Sequence, residues 1–240
     1  MSTTRVTKTV ISAVMLLMIS VNSCTCFCKK GEGNVISKKL ELPAFESIDI
    51  DGHAGVFLEQ ASQSSIEIMI DSNLYQYLTA EVSGKKLKID EKKCFESITE
   101  FKIFIKTDKL VELIVDGNVK VKGDSTITSD NLYISNQGTG DIRLNLDVND
   151  LEVRTSGSGL TTLTGRVLDL DTKVTGAGSF DGSALHAKNA KVTVADAGSS
   201  KIDVSEKFSG DVSGSGSITY SGNPKKVNTD ITGTGTIQSK

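Results

Sequence analysis

Tryptophan is missing from this 240-residue chain, proline and histidine occur twice each, and aromatic residues make up 5% of it. Each shortage excludes something. Platforms that stack sugars need exposed aromatic rings, and too few are available here. His53 and His186 stand in no H-E-x-x-H pair and no ligand cluster, so neither a metal nor another cofactor is expected. A net charge of -3 offers no basic surface for nucleic acid. G-x-S-x-G does not occur, so a nucleophile elbow is absent. "SGKK", Ser83 to Lys86, matches S-x-x-K only within a polar turn. Asp141, Asp171, Asp181 and Asp211 are scattered and suggest no carboxylate pair of the kind glycoside hydrolysis uses. No catalytic residue is nominated, and the chain is expected not to be an enzyme.

What is present points first to an envelope. Arg5 and Lys8 precede an apolar run from Val10 to Val21, which has signal-peptide length and is too short to span a bilayer. It ends in "VNSC", where small Ser23 before Cys24 has the form of a bacterial lipobox. Residues 1–23 are therefore read as a lipoprotein signal peptide and Cys24 as the lipidated N-terminus. Residues 24–40 are polar and glycine-bearing and read as a tether. The membrane is then a partner through the lipid anchor, without a spanning helix. Cys26, Cys28 and Cys94 remain, an odd number that makes no closed disulfide framework. Either Cys26 or Cys28 could bridge to Cys94 in an oxidising compartment.

Residues 41–240 read as one all-β domain. In "ESIDIDGHAGVFLEQ", Ile48, Ile50, Ala54, Val56 and Leu58 alternate with polar residues, and Ile66, Ile68 and Ile70 do so in "SIEIMI". "DSNLYQYLTAEV" changes period. Leu74, Tyr77, Leu78 and Val82 fit one short helix, with Asp71 to Asn73 as capping candidates.

Beyond residue 130 the chain repeats. Taking the first glycine of each G-x-G as zero, zeros fall at Gly138, Gly157, Gly176, Gly214 and Gly233, with Asp196 in a degenerate "DAG" copy. The intervals are 19, 19, 20, 18 and 19 residues. Apolar residues keep one parity on both sides of zero, for example Leu151 and Val153 before Gly157 and Leu163 after it. Strands flank the glycines on both sides, and no helix follows to hold a phosphate. The repeat suggests a β-solenoid or another stacked β-coil, each coil burying its inner face against its neighbours, with an up-and-down β-barrel or sandwich as the structural rival. If the strands stay extended, both glycines of each pair face inward.

The opposite parity is small and polar. Positions -1, +1 and +3 hold Ser or Thr at twelve of eighteen places. One reading is that small residues suit a tight edge; the other is that Ser156, Ser158, Thr175, Ser213, Ser215, Ser217, Thr232, Thr234 and Thr236 form a candidate binding stripe, expected to be flat and to meet a glycan or a surface protein.

These segments together resemble the family of bacterial envelope proteins described as "putative auto-transporter adhesin, head GIN domain". The resemblance rests on "FESIDIDGHAGVFLEQ", "SNLYQYLTAEVSGKKLKI", "LVELIVDGNVKV" and "ITYSGNPKKVNTDITGTGTI", and it covers about residues 40 to 240. It implies a solenoid-like fold, a signal peptide or lipid anchor, and surface attachment, with no catalytic residues to carry over. "EKKCFESITE" matches no feature of the family. The expectation is a non-catalytic lipoprotein adhesin of the cell envelope, at the outer membrane, with the leaflet left open. A polysaccharide-acting β-helix enzyme and a purely structural envelope protein are the alternatives.

Overall fold

The computed structural model describes residues 28–240. The signal peptide, Cys24 and Cys26 lie outside them. In chain order the strands are β1 (Lys29–Lys30), β2 (Val35–Leu40), β3 (Ser47–Gly52), β4 (Gly55–Gln60), β5 (Ser65–Asp71), β6 (Leu78–Ser83), β7 (Lys86–Glu91), β8 (Phe95–Glu96), β9 (Phe101–Thr107) and β10 (Glu112–Gly117). The long bent strands follow: β11 (Lys120–Asn136), β12 (Asp141–Gly157), β13 (Leu160–Gly176), β14 (Ser179–Asp196) and β15 (Ser199–Gly214). β16 (Ser217–Ser221), β17 (Lys226–Gly233) and β18 (Thr236–Ser239) finish the chain.

These strands make a β-solenoid of about 7 turns with a spacing of about 19 residues. One ladder runs β6-β7-β3-β10, continues through the later halves of β11 to β15, and ends at β17. A second runs β2-β5-β9-β4, continues through the earlier halves of the long strands, and ends at β16 and β18. Along these ladders every pairing on the C-terminal side of β3 and β4 is parallel. Among the described residues, antiparallel pairs occur only at the N-terminal end, in β2–β5, β5–β9 and β6–β7.

The alternation read in the sequence is the core. Ile48, Ile50, Ala54, Val56, Leu58, Ile66, Ile68 and Ile70 are all at most 2% exposed. Deeper in the repeat, Leu151, Val153, Leu163, Val174, Val192 and Val212 fill the same interior. Each coil turns once at the G-x-G and again where two successive residues leave the core, as at Asn149 and Asp150.

Three expectations are corrected. No helix forms at Leu74–Val82. Tyr75–Tyr77 make a single 3-10 turn, and the chain enters β6 at Leu78. The 3.6-like spacing of Leu74, Tyr77, Leu78 and Val82 is overridden by a hairpin. Ser83 pairs with Lys86, and Gly84 takes φ 62° at the first place of a two-residue loop, as a II′ turn requires. Secondly, the described part of the supposed tether is folded. β2 pairs with β5 along its whole length, and Lys29 and Lys30 pair with Phe95 and Glu96. Thirdly, the coil does not stay extended through the G-x-G, with consequences described below.

The unexplained "EKKCFESITE" holds this N-terminal segment in place. Cys28 is disulfide-bonded to Cys94, with Cα atoms 4.7 Å apart. Asp71, fully buried, accepts hydrogen bonds from Gly33 N–H at 2.7 Å and Thr99 N–H at 2.8 Å. Burial pushes its pKa up, but the Thr99 and Gly33 donors outweigh burial and hold the carboxyl below its ordinary value.

Candidate functional site

The G-x-G corner is built from two unlike glycines. Gly140, Gly159, Gly178, Gly198 and Gly216, the second of each pair, are buried. A Cβ on Gly159 would stand 2.4 Å from Gly140 O, and one on Gly216 would stand 2.6 Å from both Gly198 O and Val194 Cγ1. Only a hydrogen fits between successive coils there. The first glycine does not point into the core. Gly157, Gly176, Gly214 and Gly233 have φ of 101°, 79°, 109° and 120°, and Asp196 takes 63° at the same place. The left-handed residue turns the chain outward, so the inward assignment holds only for the second glycine. Asp196 is tolerated because Asp visits this region more readily than most side chains. Its carboxylate accepts the Gly176 N–H at 3.2 Å.

Backbone bonds carry the ladder straight through the bend. Ala177 N–H donates to Gly157 C=O at 3.0 Å, and Ser179 N–H donates to Gly159 C=O at 3.0 Å. Below the corner the interior is polar. Asn136 donates to Gly140 C=O at 3.0 Å, and the Thr155 and Thr161 hydroxyls lie 3.2 Å apart.

Above the corner stand the nine candidate residues, none of them buried. Register brings them into columns. Ser156 pairs with Thr175, Ser213 with Thr232, and Ser217 with Thr236. Ser199, which joins the last column, bonds Ser179 through their hydroxyls at 2.9 Å. Ser158, Ser215 and Thr234 occupy the apex, each one residue past zero. The Thr175 hydroxyl donates to Thr155 C=O and the Ser215 hydroxyl to Asp196 C=O, both at 3.5 Å. Among the described residues, the side chains of Ser156, Ser158, Ser213, Ser217, Thr232, Thr234 and Thr236 make no hydrogen bond. The columns at -1 and +3 flank a bend, so they form a ridge rather than the expected flat stripe. Neighbouring coils repeat about every 4.8 Å along such a ridge.

The opposite corner carries a feature that sequence spacing did not disclose. An open groove of about 390 Å³ is lined by Asp150, Glu152, Asp169 and Asp171 over Leu132, Leu151 and Leu170. Asp150 is beside Asp169 and Glu152 beside Asp171 on adjacent coils. Arg154 bridges Glu152 and Asp171 at 2.8 Å each. The groove could have been found by following the repeat to positions -7 and -5. Of the other scattered aspartates, Asp141 is tied to Arg143 at 3.1 Å and Asp181 to the Ser183 hydroxyl at 2.6 Å. The histidines are separate surface pairs, His53 with Glu91 at 3.3 Å and His186 with Asp203 at 2.6 Å.

Comparison with known proteins agrees with this architecture. The family model described as "putative auto-transporter adhesin, head GIN domain" matches residues 44–224. A crystal structure of a putative adhesin from Bacteroides fragilis shares 22% identity at a TM-score of 0.85, over 88% of this chain and 99% of that one. A putative lipid binding protein from Parabacteroides distasonis shares 23% at 0.73, over 88% and 98%. A putative adhesin from Parabacteroides merdae shares 23% at 0.68, over the same fractions. At these identities the likeness shows the fold. No curated protein matches.

Proposed function

As the chain belongs to the family of putative auto-transporter adhesins with a head GIN domain, we propose that it is a non-catalytic adhesin of the cell envelope. In this reading its rigid solenoid presents the hydroxyl ridge to a glycan or to a protein on another surface. The observation that carries the proposal is the register that aligns exposed or half-exposed hydroxyls from coil to coil, most of them making no side-chain hydrogen bond among the described residues. A polymer with its own short repeat could meet many of them at once. Each contact would be weak, and the sum would come from multivalency.

Lipidation at Cys24 completes the proposal. Three residues lie between Cys24 and Cys28, the first residue tied to the fold, and the four Cα-to-Cα steps reach at most about 14 Å. The anchored end of the solenoid would then lie against the membrane, with the later coils directed away. A fatty-acid analogue fed to cells should label the protein, and Cys24→Ala should remove the label. Persistent labelling of that variant would refute the anchor.

Binding is tested on a glycan array and on immobilised envelope proteins. The chain should bind at least one class, and Ser213→Lys/Ser215→Lys/Ser217→Lys should lose at least tenfold in affinity. Equal binding by that variant would remove the ridge from the account. Release of reducing ends from a polysaccharide by the unaltered chain would favour the enzyme reading, which the carboxylate groove supports.

A further inference from the structure

The two ends of the solenoid are not alike. At the N-terminal end, antiparallel β2 and β6 lie across the first coils. At the other end β17 has no coil beyond it among the described residues, and all its residues are exposed. Val227 and Ile231 are 49% and 46% exposed, whereas Phe208 and Val212, at the same positions one coil earlier, are each 2%. In the parallel ladders, outward residues bond back to the preceding coil, as Tyr133 N–H does to Val111 C=O and Thr234 N–H to Gly214 C=O. Inward residues bond forward. The N–H and C=O groups of Val227, Thr229 and Ile231 therefore point away from the solenoid with no partner strand, which makes an open edge.

The outer face of the same strand carries one charge of each sign, Lys226 and Asp230, four residues apart. Neither is in an ion pair among the described residues. Cationic edges often serve to keep sheets apart, but one positive and one negative charge at this spacing are self-complementary.

We propose that β17 is an interface closed by β17 of a second copy of this chain, the two strands running antiparallel about a two-fold axis at Asn228. In that register Lys226 of each copy faces Asp230 of the other. Val227 faces Thr229 twice, and their free backbone groups form the hydrogen-bonded pairs. Lys226, Asn228 and Asp230 then fall at the non-hydrogen-bonded positions, where facing Cα atoms are closest, about 4.5 Å apart. The contact is isologous and closes on itself as a dimer, with the two N-terminal ends pointing apart.

The register can be tested in the full chain solubilised in detergent from the membranes of expressing cells, where the anchors no longer hold both N-terminal ends on one side. Asn228→Cys places two thiols across the axis at a separation a disulfide tolerates. Mild oxidation should give a linked dimer well above the background of the unaltered chain. In the Asn228→Cys background, Lys226→Asp and Asp230→Lys should each lower the yield at least tenfold, and the two together should restore it. Absence of a linked dimer with Asn228→Cys, or a yield unaffected by either charge reversal, would overturn the proposal. Circular dichroism of each variant checks that the solenoid is retained. None of these outcomes depends on whether the hydroxyl ridge binds.

Discussion

Gly159→Val is expected to unfold the middle of the solenoid. The glycine is buried, and even one added carbon would lie 2.4 Å from Gly140 O and 2.7 Å from Asn136 Nδ2. The first of these is backbone in a ladder bonded on both sides, so it cannot move aside as the tip of a side chain would. Valine adds two more carbons to the same space. Coils in a solenoid rest on each other, so a wedge between two of them breaks the stack on both sides. Overpacking of this kind costs about 1–3 kcal/mol in an adaptable core. Against a rigid backbone the expected loss is above about 4 kcal/mol, in the range reserved for identifiable structural faults. Ser158→Val, one residue earlier and exposed, should stay within about 0.5 kcal/mol. Thermal melting of the two variants by circular dichroism gives the comparison. Equal melting temperatures would show that the second glycine is not the spacer between coils.

Loss of the Cys28–Cys94 bridge should come next in size. The bridge joins residues 66 apart, and closing a loop of that length takes about 4 kcal/mol from the unfolded chain's entropy. In the folded chain it holds β1 on β8 and fixes the segments that donate to Asp71 from Gly33 and Thr99. Cys94→Ala should therefore lower the denaturation midpoint of the full chain and leave the later repeats folded. The same midpoint before and after reduction would mean that the clamp adds nothing to stability.

The coil length, the parity of the core and the outward hydroxyls were legible because they depend only on period. Leu151, Val153 and Leu163 alternate with polar neighbours, and the copies recur at nearly constant intervals, so stacking follows without knowledge of the bend. The bend itself was not legible from alternation, which assumes an extended chain and so placed Gly157 and Gly159 alike. One residue did carry the difference. Zero is Asp at position 196, while the second position is Gly in every copy. A site that accepts aspartate asks for a left-handed backbone, which Asp196 shares with Gly157 and Gly214, whereas the second site is buried against its neighbour and is Gly in every copy.

The N-terminal part was harder for a related reason. It has no repeat to average over. Leu74 to Val82 satisfy a helical spacing as well as the alternation Leu78, Ala80, Val82, and only pairing with β7 decides between them. Likewise "CTCFC" offered two thiols to Cys94, and the strand pair β1–β8 selects Cys28. The carboxylate groove was missed because its acids come from adjacent coils, at a turn and two residues past it, a relation that exists only once the coils are stacked.

The measurement closest to the central claim compares two triple-lysine variants in one binding titration against whichever glycan or protein the unaltered chain captures. Ser213→Lys/Ser215→Lys/Ser217→Lys alters the ridge, and Asn149→Lys/Leu168→Lys/Ser205→Lys adds the same charge at exposed sites away from it. If the ridge is the contact surface, the first variant loses at least tenfold in affinity and the second stays within about twofold of the unaltered chain. Equal loss in both, or loss only in the second, would contradict it.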